Sequence, residues 1–153
     1  MKHGSLAAEP CAIARSVAAL GERWTFVILR QSFMGARRFE DYQQGTGIAR
    51  NILTERLKTL VDHGILARRP YAQHATRTLH EYRLTQKGLD LYPVMISLLQ
   101  WGNQHGGFAD GPPMTLEHLN CGNTIEPRFT CPCCDGTIDP REMRPHVVEP
   151  VSA

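Results

Sequence analysis

Three groups of side chains in this 153-residue chain are of kinds that bind or react. The first is Arg50, Asn51, Thr54 and Lys58. Arginine pairs with guanine and asparagine with adenine through two parallel hydrogen bonds, so both residues early in a helix suit base edges in a major groove. His74 and Arg77 downstream suit phosphate or minor-groove contact, and Arg38 upstream is a further DNA-binding candidate in a basic pair with Arg37. A charged stripe alone is more often a solvated helix face, so the reading depends on the flanking elements. The second group is His118-x2-Cys121 followed by Cys131-x2-Cys134. Thiolate and imidazole suit zinc, and one His with three Cys makes a closed tetrahedral set, which is structural rather than catalytic. Cys133 offers an alternative register, and a metal-free ribbon is the plain alternative. The third is Cys11, at the start of an expected helix with Arg15 one turn on. A helix N-terminus and a guanidinium both favour the reactive thiolate. Its plain alternative is a small residue packed at a seam.

The elements that must position these groups are legible from periodicity. Leu53, Leu57, Leu60 and Val61 recur at helical spacing and predict a helix from about 48, stopped by Gly64, with the polar group on its other face. Gly45-Thr46-Gly47 reads as the turn into it from a short helix over 39–44, the helix-turn-helix arrangement. Residues 65–69 read as a strand and 79–84 as its return, around a polar tip with Gln73, His74, Thr76 and Arg77. Helices are expected over 11–20 and 24–34. Thr85 can cap a long helix reaching Trp101 or His105, with Pro93 kinking or splitting it. The sum is a mainly α, α+β fold: a winged helix-turn-helix plus a small β-rich C-terminal appendage. Trp24 and Trp101 read as core or seam anchors.

The ordered set of pieces from Cys11 to Trp101 resembles the HxlR-type branch of MarR-like winged-helix transcriptional regulators. It includes Cys11-Ala12-Ile13-Ala14, Gly21-Glu22-Arg23-Trp24, Gly35-Ala36-Arg37-Arg38-Phe39, Leu53-Thr54-Glu55-Arg56-Leu57, Arg68-Arg69-Pro70-Tyr71 and Glu81-Tyr82-Arg83-Leu84-Thr85-Gln86-Lys87-Gly88. No single piece is diagnostic; their order is. The resemblance implies a homodimer paired through its first and last long helices, on a near-palindromic duplex operator. It also implies that a cysteine at the place of Cys11 senses oxidants or electrophiles in some members, so an oxidant or small-molecule effector is a further expected partner. The pattern departs at Leu79, where members often carry Arg in the wing; Arg77, two residues away on the same strand face, is the substitute.

The expected organisation is an arm over 1–10, a winged-helix and dimerisation domain over 11–105, a linker over 106–113 and a Cys-containing appendage over 114–153. The formal charge is only +2, so basicity must be local, as it is at Arg37-Arg38, Arg50, Arg56, Lys58 and Arg68-Arg69. No apolar run approaches the roughly 20 residues of a membrane span, and the first residues lack a signal segment, so a cytoplasmic location and no membrane partner are expected. Zinc is the one cofactor the sequence suggests. The rival from another class is a thiol oxidoreductase using Cys131-Pro132-Cys133-Cys134. That chemistry wants a helix after the first Cys, whereas Asp135-Gly136-Thr137-Ile138-Asp139-Pro140 is turn-forming. With no phosphate loop or nucleophile elbow either, an enzyme is not expected. A winged-helix interaction module without DNA binding is the other alternative.

Overall fold

The computed structural model describes residues 5–74 and 77–146; the side chains of residues 73, 74 and 77 lie outside that description. The chain divides into two compact units, residues 1–95 and 96–153, with the division inside the last helix.

In the first unit a 3-10 turn, Leu6–Ala8, precedes helices α1 (Ala12–Leu20), α2 (Thr25–Phe33), α3 (Phe39–Thr46) and α4 (Arg50–Asp62). Strands β1 (Leu66–His74) and β2 (Arg77–Leu84) form an antiparallel hairpin, followed by α5 (Gln86–Leu89) and α6 (Tyr92–His105). This is the winged helix-turn-helix arrangement. The core joins Leu20, Ile28 and Leu29 to Tyr42 and Ile48, the α4 stripe Leu53, Leu57 and Leu60, and Ile65 and Leu66 at the entry to the wing. The i, i+4, i+7 spacing on α4 therefore does what its period predicts, fixing the rotation of the helix about its axis. Each of these leucines is at most 1% exposed, so truncation to Ala would cost about 2–5 kcal/mol.

One polar cluster lies within this apolar centre. The Ser32 and Tyr42 hydroxyls are 2.9 Å apart and Tyr42 Oη donates to Ala36 O at 3.1 Å, while the one Ser32 proton is shared between Tyr42 Oη and Ile28 O, the latter at 3.3 Å. It ties α2 to α3 and sets the base of the helix-turn-helix. Burial raises the Tyr42 phenol above its ordinary value, against a smaller lowering from the Ser32 hydrogen bond.

Two boundaries differ from the sequence expectation, and the expected split of the helix after Thr85 is met a little before Pro93. Helix α3 runs through Gly45 to Thr46, and the turn begins only at Gly47, left-handed at φ 67°. Gln31 Nε2 donates to Gly45 O at 2.8 Å, so α2 holds that last turn helical. The hairpin strands extend beyond 65–69 and 79–84 to pair His74 with Arg77. The helix after Thr85 is split: Thr85 Oγ1 accepts from Gly88 N at 3.1 Å, α5 ends at Leu89, and Pro93 is the second residue of α6. Proline is tolerated in a first helical turn, where its missing N–H has no intrahelical partner to lose.

In the second unit Asn103 Nδ2, on α6, donates to Met114 O at 2.8 Å. The β character is confined to two isolated bridges, Glu117–Thr124 and Thr130–Thr137, with a 3-10 turn at Pro140–Glu142. None of the described residues from 106 to 146 is buried. No helix among the described residues is long and apolar enough to cross a membrane.

Candidate nucleic-acid interface

With Leu53, Leu57 and Leu60 buried, the other face of α4 carries Arg50, Asn51, Thr54 and Lys58, all exposed. The structure therefore brings these four predicted residues together on one helical face. Arg50 is the first residue of α4. Its Nη1 donates to Gln43 Oε1 at 2.7 Å, and its guanidinium carbon lies 4.7 Å from the Phe39 ring centroid. Thr54 Oγ1 donates to Arg50 O at 2.8 Å, leaving its lone pairs outward as acceptors. Lys58 pairs with Asp62 one turn on; such an exposed pair is worth little and exchanges readily for a phosphate. Arg56, in the same basic stretch, belongs to the scaffold: it is half-buried and pairs with Glu22 at 3.5 Å and Glu55 at 3.0 Å.

Arg38 sits at the start of α3. Asp41 Oδ2 accepts from the backbone N–H of Arg38 at 2.8 Å and of Arg37 at 3.0 Å, capping the helix. Those two bonds, Arg38 first, hold the Asp41 carboxyl below its ordinary range. The Arg38 guanidinium stacks 4.6 Å from the Tyr71 ring centroid. Tyr71 is placed there by a wing irregularity: register slips between Pro70 and Ala72, where Pro70 has no N–H to give the ladder. A further bond, Tyr82 N to Arg37 O at 2.7 Å, anchors β2 to the start of the helix-turn-helix. The wing and the reading helix are thus held to the same short segment, 37–43. His74 and Arg77 face each other in register across the end of the hairpin; their side chains lie outside the described residues.

Sequence reasoning missed Gln43, Phe39 and Tyr71. The first two reach Arg50 only across a turn, which no local pattern encodes. Pro70 inside a strand was the available signal for the third.

Cys11 is exposed at the N-cap of α1. Arg15, expected to act on it, donates from Nε to Glu9 O at 2.7 Å. Of the aromatic anchors, Trp24 packs against the core while Trp101 is 63% exposed.

The predicted metal ligands form two pairs. His118 Nδ1 and Cys121 Sγ are 3.3 Å apart. Cys131 is hydrogen-bonded by the backbone of Cys133 and of Cys134 and by the Cys134 side chain, in that order of effect, which lowers its thiol below the ordinary value. Among the described residues no three His, Cys, Asp or Glu side chains stand together as a metal cluster, so the four are not brought into one site.

A helix-turn-helix whose second helix exposes Arg, Asn, Thr and Lys beside a hairpin wing defines a winged-helix DNA-binding transcriptional regulator. A family model for the HxlR-like helix-turn-helix matches residues 19–109, and the chain belongs to that family. It is 41% identical over 133 residues to Rv3095, an HTH-type transcriptional regulator of Mycobacterium tuberculosis, covering 87% of this chain and 83% of that one. The crystal structure of PA1607, a candidate transcription factor, superposes with a TM-score of 0.85 at 28% identity, over 94% of this chain and 99% of that one; the likeness includes most of the second unit. Diamide-treated YodB from Bacillus subtilis is similar over 62% of this chain and 94% of its own, at 30% identity and a TM-score of 0.51.

Proposed function

We propose that the chain acts as a homodimer on a near-palindromic duplex operator, with α4 of each copy in a major groove. Arg50, Asn51 and Thr54 meet base edges; Arg38 and Lys58 meet phosphates; His74 and Arg77, at the wing tip, meet phosphates or the minor groove. The observation that carries this is the single exposed face of Arg50, Asn51, Thr54 and Lys58 on a helix whose opposite face is locked into the core. Dimerisation is supported by exposed apolar residues on the helices expected to pair: Ile13 (75%) and Val17 on α1, Leu98 and Trp101 (63%) on α6. Two reading helices related by a two-fold axis would need half-sites about 34–36 Å apart.

Cys11 is the candidate sensor. Its thiol is exposed at the start of α1, a helix expected at the dimer seam, so its modification would alter the spacing of the reading helices. No enzymatic role is assigned, and the protein works in the cytoplasm.

Sequencing of genomic fragments that remain bound after footprinting gives the operator. Sedimentation of the protein on that operator should then give two chains per duplex. Binding indifferent to DNA sequence, or one chain per operator at micromolar concentration, refutes the reading.

A further inference from the structure

The second unit contains an internal repeat. Residues 116–125 and 129–138 fold into two hairpins that share three backbone hydrogen bonds, each position of the second lying thirteen residues beyond its counterpart; the first hairpin adds Cys121 N to His118 O at 3.1 Å. At the base, Ile125 N donates to Leu116 O at 2.8 Å, as Ile138 N does to Phe129 O at 2.9 Å. One step in are the bridges Glu117–Thr124 and Thr130–Thr137. Then His118 N donates to Asn123 O and Cys131 N to Gly136 O, both at 2.9 Å. At the tip Gly122 N donates to His118 O at 2.8 Å and Asp135 N to Cys131 O at 2.9 Å. The residue after the second soft ligand is left-handed in both: Gly122 at φ 69° and Asp135 at φ 56°. Asp135 is the one non-glycine residue among those described to take a positive φ, a conformation that Asp tolerates better than most residues.

The equivalent places at the two tips hold His118 with Cys121 and Cys131 with Cys134. Each tip carries a pair of soft ligands whose side chains touch. The same turn is thus built twice around two pairs, in a segment where no described residue from 106 to 146 is buried. Apolar burial does not hold such a segment, and small units of this kind are held by a staple.

We propose that the two hairpins are paired knuckles of one structural site for a thiophilic divalent cation of the zinc class, with His118, Cys121, Cys131 and Cys134 as ligands and Cys133 outside the set. The spacing alone leaves Cys133 open as an alternative; the repeat removes it, because Cys133 falls at the place of Asn120. The two pairs stand apart in the structure, so binding includes closure about the connecting residues 126–128. The cation replaces the proton on each coordinating thiol and meets a neutral imidazole, so each metal bound releases one proton per coordinating cysteine. Four protein ligands leave no position for a substrate water.

The test is a cobalt(II) titration of the reduced, metal-stripped full-length protein. Saturation at one ion per chain is expected, with the strong visible bands of tetrahedral cobalt and a thiolate-to-metal charge-transfer band. Cys133→Ser should leave affinity and spectrum unchanged. Cys131→Ser and Cys134→Ser should each weaken binding by at least about a hundredfold, since even an outer partner of a ligand is worth 10–100-fold. His118→Cys should keep the tetrahedral bands and intensify the charge-transfer band. Absence of a tetrahedral spectrum in the wild type, saturation at half an ion per chain, or loss of the site in Cys133→Ser with retention in Cys134→Ser overturns the proposal.

Discussion

Arg50 Nη1 donates to Gln43 Oε1 at 2.7 Å, which links the first residue of the reading helix to the helix before it. The same guanidinium stacks on Phe39, so α3 aims Arg50 before any DNA arrives. Pre-aiming lowers the rotamer entropy lost on binding. Arg50→Ala and Asn51→Ala should each weaken operator binding by about 1–3 kcal/mol and random-duplex binding much less. Gln43→Ala should weaken operator binding in the same selective way but by less. Anisotropy titrations on operator and scrambled duplexes check this, and equal losses on both would place Arg50 and Asn51 among the phosphate contacts.

Arg38, stacked on Tyr71, and Lys58, paired with Asp62 at the surface, are the proposed phosphate contacts. Arg38→Ala and Lys58→Ala should weaken binding about equally on all sequences. Each should also make the slope of log affinity against log salt shallower by about 1. Titrations across a salt series check both; a change confined to the operator would reverse the assignment.

The Ser32–Tyr42 pair predicts a stability effect remote from DNA. Tyr42→Phe keeps the ring but leaves Ala36 O without the phenol donor and Ser32 with one partner fewer. Leaving a buried polar group unsatisfied costs about 1–3 kcal/mol. Urea unfolding should show that loss with an unchanged m-value, and an unaltered midpoint would mean that water substitutes.

The parts legible in the sequence are those governed by periodicity and by chain-breaking residues. Leu53, Leu57 and Leu60 gave α4 its rotation because the helical period alone dictates a buried stripe. Gly64 and Thr85 marked ends because their local chemistry suffices. The turn was misplaced at Gly45 because the end of α3 is set by a tertiary bond from Gln31. Pro93 signalled a break, which lies two residues earlier than the proline itself. Arg15 looked like a partner for Cys11 by helical spacing, but the preceding segment turns back to offer Glu9 O instead. The repeat of the tail was faint, since only Cys121, Thr124 and Ile125 recur identically, as Cys134, Thr137 and Ile138; the rest of the likeness lives in backbone hydrogen bonds.

If Cys11 is the sensor, it should react with a thiol probe in the folded protein, and diamide should lower operator affinity in the wild type but not in Cys11→Ser. The tail cysteines complicate the assay, because Cys121, Cys133 and Cys134 are also exposed. Mapping the modified residue by mass spectrometry separates them. Unchanged affinity of a protein fully modified at Cys11 would reduce that residue to packing.

Asp41 makes the interface sensitive to acid. Its carboxylate accepts from the N–H groups of Arg37 and Arg38, and these bonds depress its folded pKa below the ordinary 3.8. A depressed carboxyl contributes stability that is fully present above its unfolded value, about pH 4, and is lost as pH falls through the folded value. Asp41 is largely exposed, so solvent screening keeps the contribution small, and it acts chiefly on the first turn of α3. That turn carries Arg38 and Phe39 and receives β2 through Arg37 O, so its loosening reaches both Arg50 and the wing. Asp41→Asn keeps a neutral oxygen that can accept from both N–H groups but has no charge to lose. The variant should be slightly less stable than wild type near neutral pH, and the two curves should converge as pH falls from about 4 toward 2. Chemical unfolding at a series of pH values checks this. A constant gap between the curves down to the lowest pH would mean that the lost stabilisation is steric rather than electrostatic.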